Sequence, residues 1–357
     1  SSINKRIKLI MAYTTINKSS DYFEPEIYTG NGSSKTISTL NFQPDWVWIK
    51  NRATTDMNVL FDSLRGATKR IASDSTAAEA TEAQDLTAFN TNGFTVSTSG
   101  AVNSNSVSYA SWNWKAGTTS GIATNGSTQI TPSSYSFNQT SGFSIIRYTG
   151  IGGQPKTIPH GLGVQPKMFI IKRLNSTGSW GVLPQQISTG HLYLDATTAL
   201  GTVNPLSGGV LADSVNFSVS NSSDVNASGS TYIAYCFADV QGYSKMGSYT
   251  GNGNATLPTF TYLGFKPAFV LIKNTTQADA WFLHDSKRDG FNDDNEYLRP
   301  NLTDAESSGT NRIRLLSNGF SVPTTDKSHN VSGNVYIYMA FAKNPFVSSS
   351  GIPATAR

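Results

Sequence analysis

The stretch LNFQPDWVWIK (residues 40–50) decides the fold, because two further versions of it follow, LGVQPKMFIIK (residues 162–172) and LGFKPAFVLIK (residues 263–273). In each version a proline precedes a continuous apolar run, and the run stops at a lysine. A proline is tolerated at the start of a strand, where its missing N–H is not needed. Such an apolar run of β-forming residues predicts a central strand covered on both faces.

Three other landmarks recur around this strand in the same order. A tyrosine–glycine turn precedes it, a short strand with a phenylalanine follows it, and an aromatic segment closes the unit. The versions are IYTGNG, RYTGIG and SYTGNG (27–32, 147–152, 248–253), NGFTV, VNFSV and NGFSV (92–96, 215–219, 318–322), and YASWNWKAG, YIAYCFADV and YIYMAFAKN (109–117, 232–240, 336–344). Landmarks in one order, repeated along a chain, indicate three copies of one structural unit.

The closing segment alternates in a way that predicts one core face. Side chains two apart on a strand share a face. The aligned pairs on that face are Trp112 and Trp114, Tyr235 and Phe237, and Met339 and Phe341. We expect these pairs to form core between layered sheets, and the opposite face to be closely covered or half exposed.

The rest of the chain reads as short strands between turns, which is typical of a β-sandwich. We therefore predict an all-β fold of three tandem β-sandwich repeats, of jelly-roll or lectin-like type, with at most one or two short helices. The best helix candidate is TAAEATEAQDLTAF (residues 76–89), with a shorter counterpart near residues 303–307.

The repeats also predict the division of the chain. The expected units are an N-terminal extension (1–20), repeat 1 (21–117), linker strands with repeat 2 (118–246), repeat 3 (247–346) and a C-terminal tail (347–357). The linker between repeats 2 and 3 is short, so we expect these two units to be docked against each other.

Composition excludes several classes of protein. The aromatic fraction of 11% excludes global disorder, and no apolar run is long enough to cross a membrane. Three of the 27 basic residues, Lys5, Arg6 and Lys8, lie at the start, and the others nearly balance the 23 acidic residues. No basic face for nucleic acid is therefore expected. The single cysteine, Cys236, excludes an internal disulfide.

The landmarks together with MAYTTINKSS (residues 11–20), DSLRG (62–66) and HDSKRDG (284–290) resemble a repeat protein of bacteriophages, especially viruses of marine bacteria. The resemblance runs from about residue 11 to residue 346. It implies a structural protein on the outside of a virion, of tail-fibre type, with a lectin-like sandwich in each repeat. It also implies other virion proteins as partners and, by analogy with fibres, a homotrimer.

Two copies of Asp-Ser-x-Arg are candidate binding residues, Asp62 with Arg65 and Asp285 with Arg288. Such a pair could hold a carboxylate or a sugar hydroxyl of a ligand. The alternative is an internal ion pair that fastens a loop, and we favour this interpretation.

Two tryptophans outside the core strands are the other candidates for ligand contact. Trp180 and Trp281 lie at equivalent distances after the central strand, and the faces of such rings stack on sugars. The alternative is that both rings pack inside the protein.

One acidic cluster could supply oxygen ligands to Ca²⁺. Its members are Asp289, Asp293, Asp294 and Glu296. We favour a solvated loop, and no other cofactor is expected.

The function that we expect from the resemblance is that of a non-enzymatic virion protein, an adhesin that contacts polysaccharide on the host surface. Repeated weak sites would combine through avidity. One alternative is a capsid or tail decoration protein without ligand recognition. A second is a polysaccharide depolymerase, although repeat 2 has few acidic residues for a paired-carboxylate site.

Overall fold

A computed structural model describes residues 13–153, 155–185, 190–201, 212–288, 296–308 and 311–353 of the 357-residue chain. These residues form an all-β protein of sandwich type, as predicted from the strand pattern. Every pair of neighbouring strands is antiparallel.

The strands follow the three repeats. Repeat 1 contains β1 (Phe23–Thr29), β2 (Lys35–Ile37), β3 (Trp46–Asn51), β4 (Asn58–Asp62), β5 (Lys69–Ala72), β6 (Ala80–Thr81), β7 (Leu86–Asn90), β8 (Gly93–Val96) and β9 (Ser108–Trp114). Repeat 2 contains β10 (Ser134–Asn138), β11 (Phe143–Thr149), β12 (Lys156–Pro159), β13 (Met168–Arg173), β14 (Gly181–Pro184), β15 (Leu192–Tyr193), β16 (Asn216–Val219) and β17 (Thr231–Phe237). Repeat 3 contains β18 (Ser244–Thr250), β19 (Thr259–Tyr262), β20 (Phe265–Asn274), β21 (Trp281–Asp285), β22 (Arg314–Leu316), β23 (Gly319–Val322) and β24 (Val335–Pro345).

Each repeat has a large inner sheet and a small outer sheet. The inner sheets run β1-β9-β3-β4-β5-β6, β10-β11-β17-β13-β14-β15 and β18-β24-β20-β21. The outer sheets run β2-β8-β7, β12-β16 and β19-β23-β22. The apolar run before each lysine is thus a central strand (β3, β13 or β20), and all six residues of β3 are buried.

The aromatic face of each inner sheet points into one core that all three repeats share. Trp46 of repeat 1 stacks on Tyr235 of repeat 2, with ring centroids 4.5 Å apart. Phe341 of repeat 3 contacts Trp114 at 5.6 Å and Phe237 at 6.0 Å. The prediction that these pairs form core is confirmed, but they pack against the other repeats and not against the outer sheet of their own repeat.

The second face of each inner sheet packs against the outer sheet of the same repeat. Three separate clusters of buried apolar residues fill these sandwiches. Both faces of the inner sheets are therefore buried, which explains why the central strands are apolar without alternation.

The tyrosine–glycine turns of the three repeats share the same stacking and hydrogen-bond pattern. In repeat 1 the ring of Tyr28 stacks on Tyr109 at 5.2 Å, and its hydroxyl donates to the carbonyl of Val102. The side chain of Asn103 accepts a hydrogen bond from the turn at Asn31 N. The corresponding sets are Tyr148, Tyr232 and Asn226 in repeat 2, and Tyr249, Tyr336 and Asn330 in repeat 3.

The helix prediction is wrong in position. Residues 76–89 contain β6 and most of β7 after a stretch without regular secondary structure, and residues 303–306 have no regular secondary structure either. Within the described ranges, the helical segments are a 3₁₀ turn (Ser19–Asp21) and α1 (Gly100–Asn103). The backbone of both predicted helices bonds to a neighbouring repeat, which outweighs the helix propensity of alanine and glutamate. Strand β18 also begins at Ser244, slightly before the predicted start of repeat 3.

Candidate functional site

The lysine near the end of each central strand is fully buried and joins two repeats. Lys50 Nζ donates to the carbonyl of Asp56 in its own repeat at 2.7 Å and to that of Thr303 in repeat 3 at 2.9 Å. Lys172 bonds Gly178 and Thr76 of repeat 1 in the same way, and Lys273 bonds Asp279 and Thr197 of repeat 2. Burial lowers the pKa of each of these lysines to about 8, although nearby carboxylates partly oppose the shift.

A short segment of each repeat, without regular secondary structure, lies on the next repeat, and we call these segments the straps. They are residues 76–79, 197–200 and 303–306. In the first strap, the carbonyl of Thr76 accepts from Gly178 N and the N–H of Glu79 donates to Leu174 O. The second strap makes the same two bonds with Asp279 and Thr275. The third strap makes them with Asp56 and Arg52. Strap 1 lies on repeat 2, strap 2 on repeat 3 and strap 3 on repeat 1. We call each of these contacts between two repeats a joint, and the three joints close a ring.

Trp180 and Trp281 belong to these joints. Both indoles are buried, with 0% and 1% of the residue exposed. Trp180 Nε1 donates to the carbonyl of Ala72 in repeat 1 at 2.9 Å, and Trp281 Nε1 donates to that of Tyr193 in repeat 2 at 2.9 Å. The equivalent Asn58 donates to Leu302 O of repeat 3. Because neither indole face is open to solvent, the interpretation as packing residues fits and sugar stacking on them does not.

The two Asp-Ser-x-Arg pairs are buried ion pairs. Asp62 Oδ2 lies 2.5 Å from Arg65 Nε, and Asp285 Oδ2 lies 2.5 Å from Arg288 Nε. Burial opposes ionisation of Asp285, but the charge and hydrogen bonds of Arg288 outweigh it and hold the pKa of this carboxyl below its usual value. The pairs fasten the loops after β4 and β21, which is the interpretation favoured above.

Each of these carboxylates also accepts a hydrogen bond from another repeat. Tyr235 Oη donates to Asp62 at 2.7 Å, and Trp112 Nε1 donates to Asp285 at 3.0 Å. In the third joint, Pro184 stands where the other joints have the aspartate, and Met339 stands where they have the tyrosine or tryptophan donor. The donor and the acceptor are thus replaced together by apolar residues, so neither position carries a buried polar group that needs a partner. Repeat 2 therefore lacks the motif for a structural reason.

The calcium candidates fall mostly outside the described residues, as Asp289, Asp293 and Asp294 do. Glu296 is described, and its carboxylate lies 3.1 Å from Arg52 Nη2. In the described part of the chain, no three acidic, histidine or cysteine residues are grouped as a metal site would require. No helix among the described residues is long and apolar enough to span a bilayer.

Sequence reasoning missed the straps, although they have a sequence signature. The signature starts two residues before each strap with Asp or Asn, and continues with any residue, Thr, any residue and Ala. The three versions are DSTAAE (74–79), DATTAL (195–200) and NLTDAE (301–306). The side chain of the first residue accepts from the backbone N–H of Asn58, Trp180 or Trp281. Aligning the repeats at this motif would have identified strap residues in place of a helix.

One cleft on the described surface lies at the junction of repeats 2 and 3, with a volume of about 430 Å³. Tyr13 Oη lies 3.3 Å from Tyr262 Oη and donates to Gly264 O at 2.9 Å. Lys245 Nζ lies 5.6 Å from the centre of the Tyr262 ring. Burial, and then the contact with Tyr262, raise the pKa of Tyr13 to about 12. The polar and aromatic lining consists of Tyr13, Asp239, Gln241, Ser244, Lys245 and Tyr262.

Comparison with known proteins adds a family assignment without an activity. No curated protein matches the chain. A protein family described as a domain of unknown function (DUF7483) matches residues 18–345, which span all three repeats and all three joints. Because the match covers nearly the whole chain, the protein belongs to this family of unknown function.

Proposed function

We propose that this chain is a non-enzymatic structural protein of a bacteriophage particle, exposed on its outside, which contacts polysaccharide on the host surface. The resemblance of the landmarks to phage repeat proteins supports the proposal that the chain is part of a phage particle. The closed ring of repeats supports the structural role, and it is the observation that carries the proposal.

The ring supports a structural role because its landmarks are used for assembly. One repeat is bonded to the next by the lysines of the central strands, by the straps, and by the carboxylates of Asp62 and Asp285. In an enzyme or a multivalent lectin with one site per repeat, the recurring polar residues would face a substrate. Here they face a neighbouring repeat, and the outer sheets and turns are the parts that can contact other molecules.

A specific observation favours the second candidate function, decoration of a capsid or tail without ligand recognition. All six residues that the sequence suggested for ligand contact are buried in joints or loops. The ligand-binding part of the proposal must therefore rest on other surface residues, while a decoration protein would need none.

Localisation tests the proposal. Antibodies against the purified chain, bound to gold particles, are expected to label intact phage particles in electron micrographs. Labelling at the tail tip or fibres supports an adhesin, and labelling over the capsid or along the tail supports decoration. Purified particles that lack the chain by mass spectrometry would refute a virion role.

Host contact needs a separate measurement. Purified chain added before infection is expected to slow adsorption of the phage if it is an adhesin. Unchanged adsorption, with the chain present in particles, favours decoration. Release of reducing sugar ends from host polysaccharide would contradict the non-enzymatic part of the proposal. The homotrimer implied by the resemblance stays a prediction, to be checked by light scattering.

A further inference from the structure

Strand β19, in the outer sheet of repeat 3, exposes aromatic side chains. Phe260 is 47% exposed and Tyr262 is 50% exposed. Leu257, just before the strand, is 73% exposed, and its backbone is held by hydrogen bonds to Asn252 and Asn254. Three large apolar residues within one short segment form a patch of the kind that marks an interaction site.

The equivalent strands of the other repeats have the opposite polarity. Strand β19 pairs with β23, and the equivalent pairs are β2 with β8 and β12 with β16. In these pairs Thr261, Ile37 and Ile158 each lie opposite a buried phenylalanine, so they are equivalent positions. The same pairing aligns Phe260 with Thr36 and Thr157. Repeats 1 and 2 therefore place isoleucine inside and threonine outside, whereas repeat 3 places threonine inside and aromatic residues outside.

This inversion works against folding. Thr261 is buried, and its hydroxyl has no hydrogen-bond partner in the described part of the chain. An apolar side chain at this position, as in the other repeats, would avoid a buried unpaired hydroxyl. A local departure from the folding pattern that is accompanied by exposed aromatic residues indicates a functional surface.

The residues that flank the two rings on the neighbouring strand are small. On the neighbouring strand, Gly319 pairs with Tyr262 and Ser321 pairs with Phe260, so a small residue lies beside each ring. A side chain at Gly319 is excluded, because its Cβ would lie 2.1 Å from the carbonyl oxygen of Thr261. The cleft with Lys245 and its other hydrogen-bonding groups adjoins Tyr262.

We infer that the outer face of β19 is a saccharide-binding surface, on which sugar rings stack on Tyr262 and Phe260 while groups of the adjoining cleft bond their hydroxyls. The inference rests on the proposed function and names the place where host polysaccharide would bind. A surface that only packed against apolar protein would not need hydrogen-bonding groups beside the rings.

The test replaces three residues of β19 in repeat 3 with the equivalent residues of repeat 1. The variant Phe260→Thr/Thr261→Ile/Tyr262→Ser reproduces residues 36–38 at the equivalent positions. Binding is measured by affinity electrophoresis in gels that contain surface polysaccharide extracted from the host bacterium. We expect the dissociation constant to rise at least about tenfold, because the central aromatic contacts of a binding surface dominate its affinity.

Two controls make the result decisive. Thr36→Ala changes the equivalent strand of repeat 1 and is expected to bind like the unaltered chain. Phe260→Thr alone removes one exposed ring without touching the sandwich interior, and thermal unfolding verifies that each variant is folded.

The outcomes separate this inference from the proposed function. If the unaltered chain and the triple variant bind equally, the surface is wrong but an adhesin remains. If the unaltered chain does not bind, polysaccharide contact itself is refuted. If the unaltered chain does not bind but self-associates in sedimentation equilibrium, and only the triple variant is monomeric, the face contacts a second copy and the saccharide assignment is overturned.

Discussion

At the scale of single residues, equivalent positions in the three repeats serve as internal comparisons. Ser106 has a backbone φ of 62°, a left-handed conformation that is unfavourable for a residue with a Cβ. The equivalent residues are Gly229 and Gly333, with φ of 75° and 79°. Repeat 1 therefore carries a strained residue where the others have glycine.

Replacing this serine by glycine is expected to stabilise the protein. Ser106→Gly removes the left-handed strain, and the gain is reduced by the greater freedom of glycine in the unfolded chain, which leaves about 0.5–1 kcal/mol. Urea unfolding measures the change. Ser34→Gly, at a position without positive φ, is the matched control and should be neutral or destabilising. A destabilised Ser106→Gly protein would contradict the strain argument.

A buried histidine predicts lower stability in acid. The His160 ring accepts from Leu162 N through Nδ1, and its Nε2 lies 3.2 Å from Asp213 O, so the neutral ring satisfies both neighbours. Burial lowers the pKa of His160 from 6.5 to about 4. The unfolded chain therefore binds more protons between these values, and stability falls as the pH falls below 6.5.

The size of this effect can be measured with one variant. We expect His160 to reduce the free energy of unfolding by about 2 kcal/mol between pH 7 and pH 5. His160→Asn keeps a hydrogen-bonding side chain that does not titrate, so its unfolding free energy should depend less on pH by this amount. Equal pH dependence of both proteins in urea unfolding would show that the ring is not held neutral.

At the scale of structural elements, the straps replace a predicted helix and should be sensitive to loss of a single backbone N–H. Glu79→Pro removes the donor to Leu174 O, which leaves a carbonyl at a joint unpaired and is expected to cost about 1–3 kcal/mol. Glu79→Gln keeps this N–H and changes only the charge beside Arg65, so it should cost less. Urea unfolding of both variants separates the contribution of the backbone hydrogen bond from that of the side-chain charge. Equal losses would mean that the strap acts through its side chain.

At the scale of the whole molecule, the shared core predicts that the three repeats unfold together. Trp114 contacts Phe341 and Phe269 of repeat 3, so a smaller side chain there leaves a cavity between repeats. Trp114→Leu is expected to lower the unfolding free energy by about 2–4 kcal/mol, and hydrogen exchange should show this loss in the central strands of every repeat. Unchanged protection in β20 would indicate independently folding repeats. Thr36→Ala, in an outer sheet, is the control.

Much of the fold could be predicted because its signals are local. The apolar central strands, the tyrosine–glycine turns and the alternation of the closing strands each report burial within a few residues of sequence. The predicted site failed for a corresponding reason. Trp180 directly precedes β14 and Asp62 is the last residue of β4, and the local sequence does not reveal that partners of their polar groups lie in another repeat.

The amino-acid sequence by itself determined the threefold repetition, the all-β class and the burial of the apolar side chains in the central and closing strands, because strand periodicity and repeated landmarks are properties of short segments. Only the tertiary structure decided which surfaces those side chains meet. It placed the aromatic faces in one shared core and carried each strap onto the next repeat. Such contacts join residues that are far apart in the chain, and packing of complete sheets selects them.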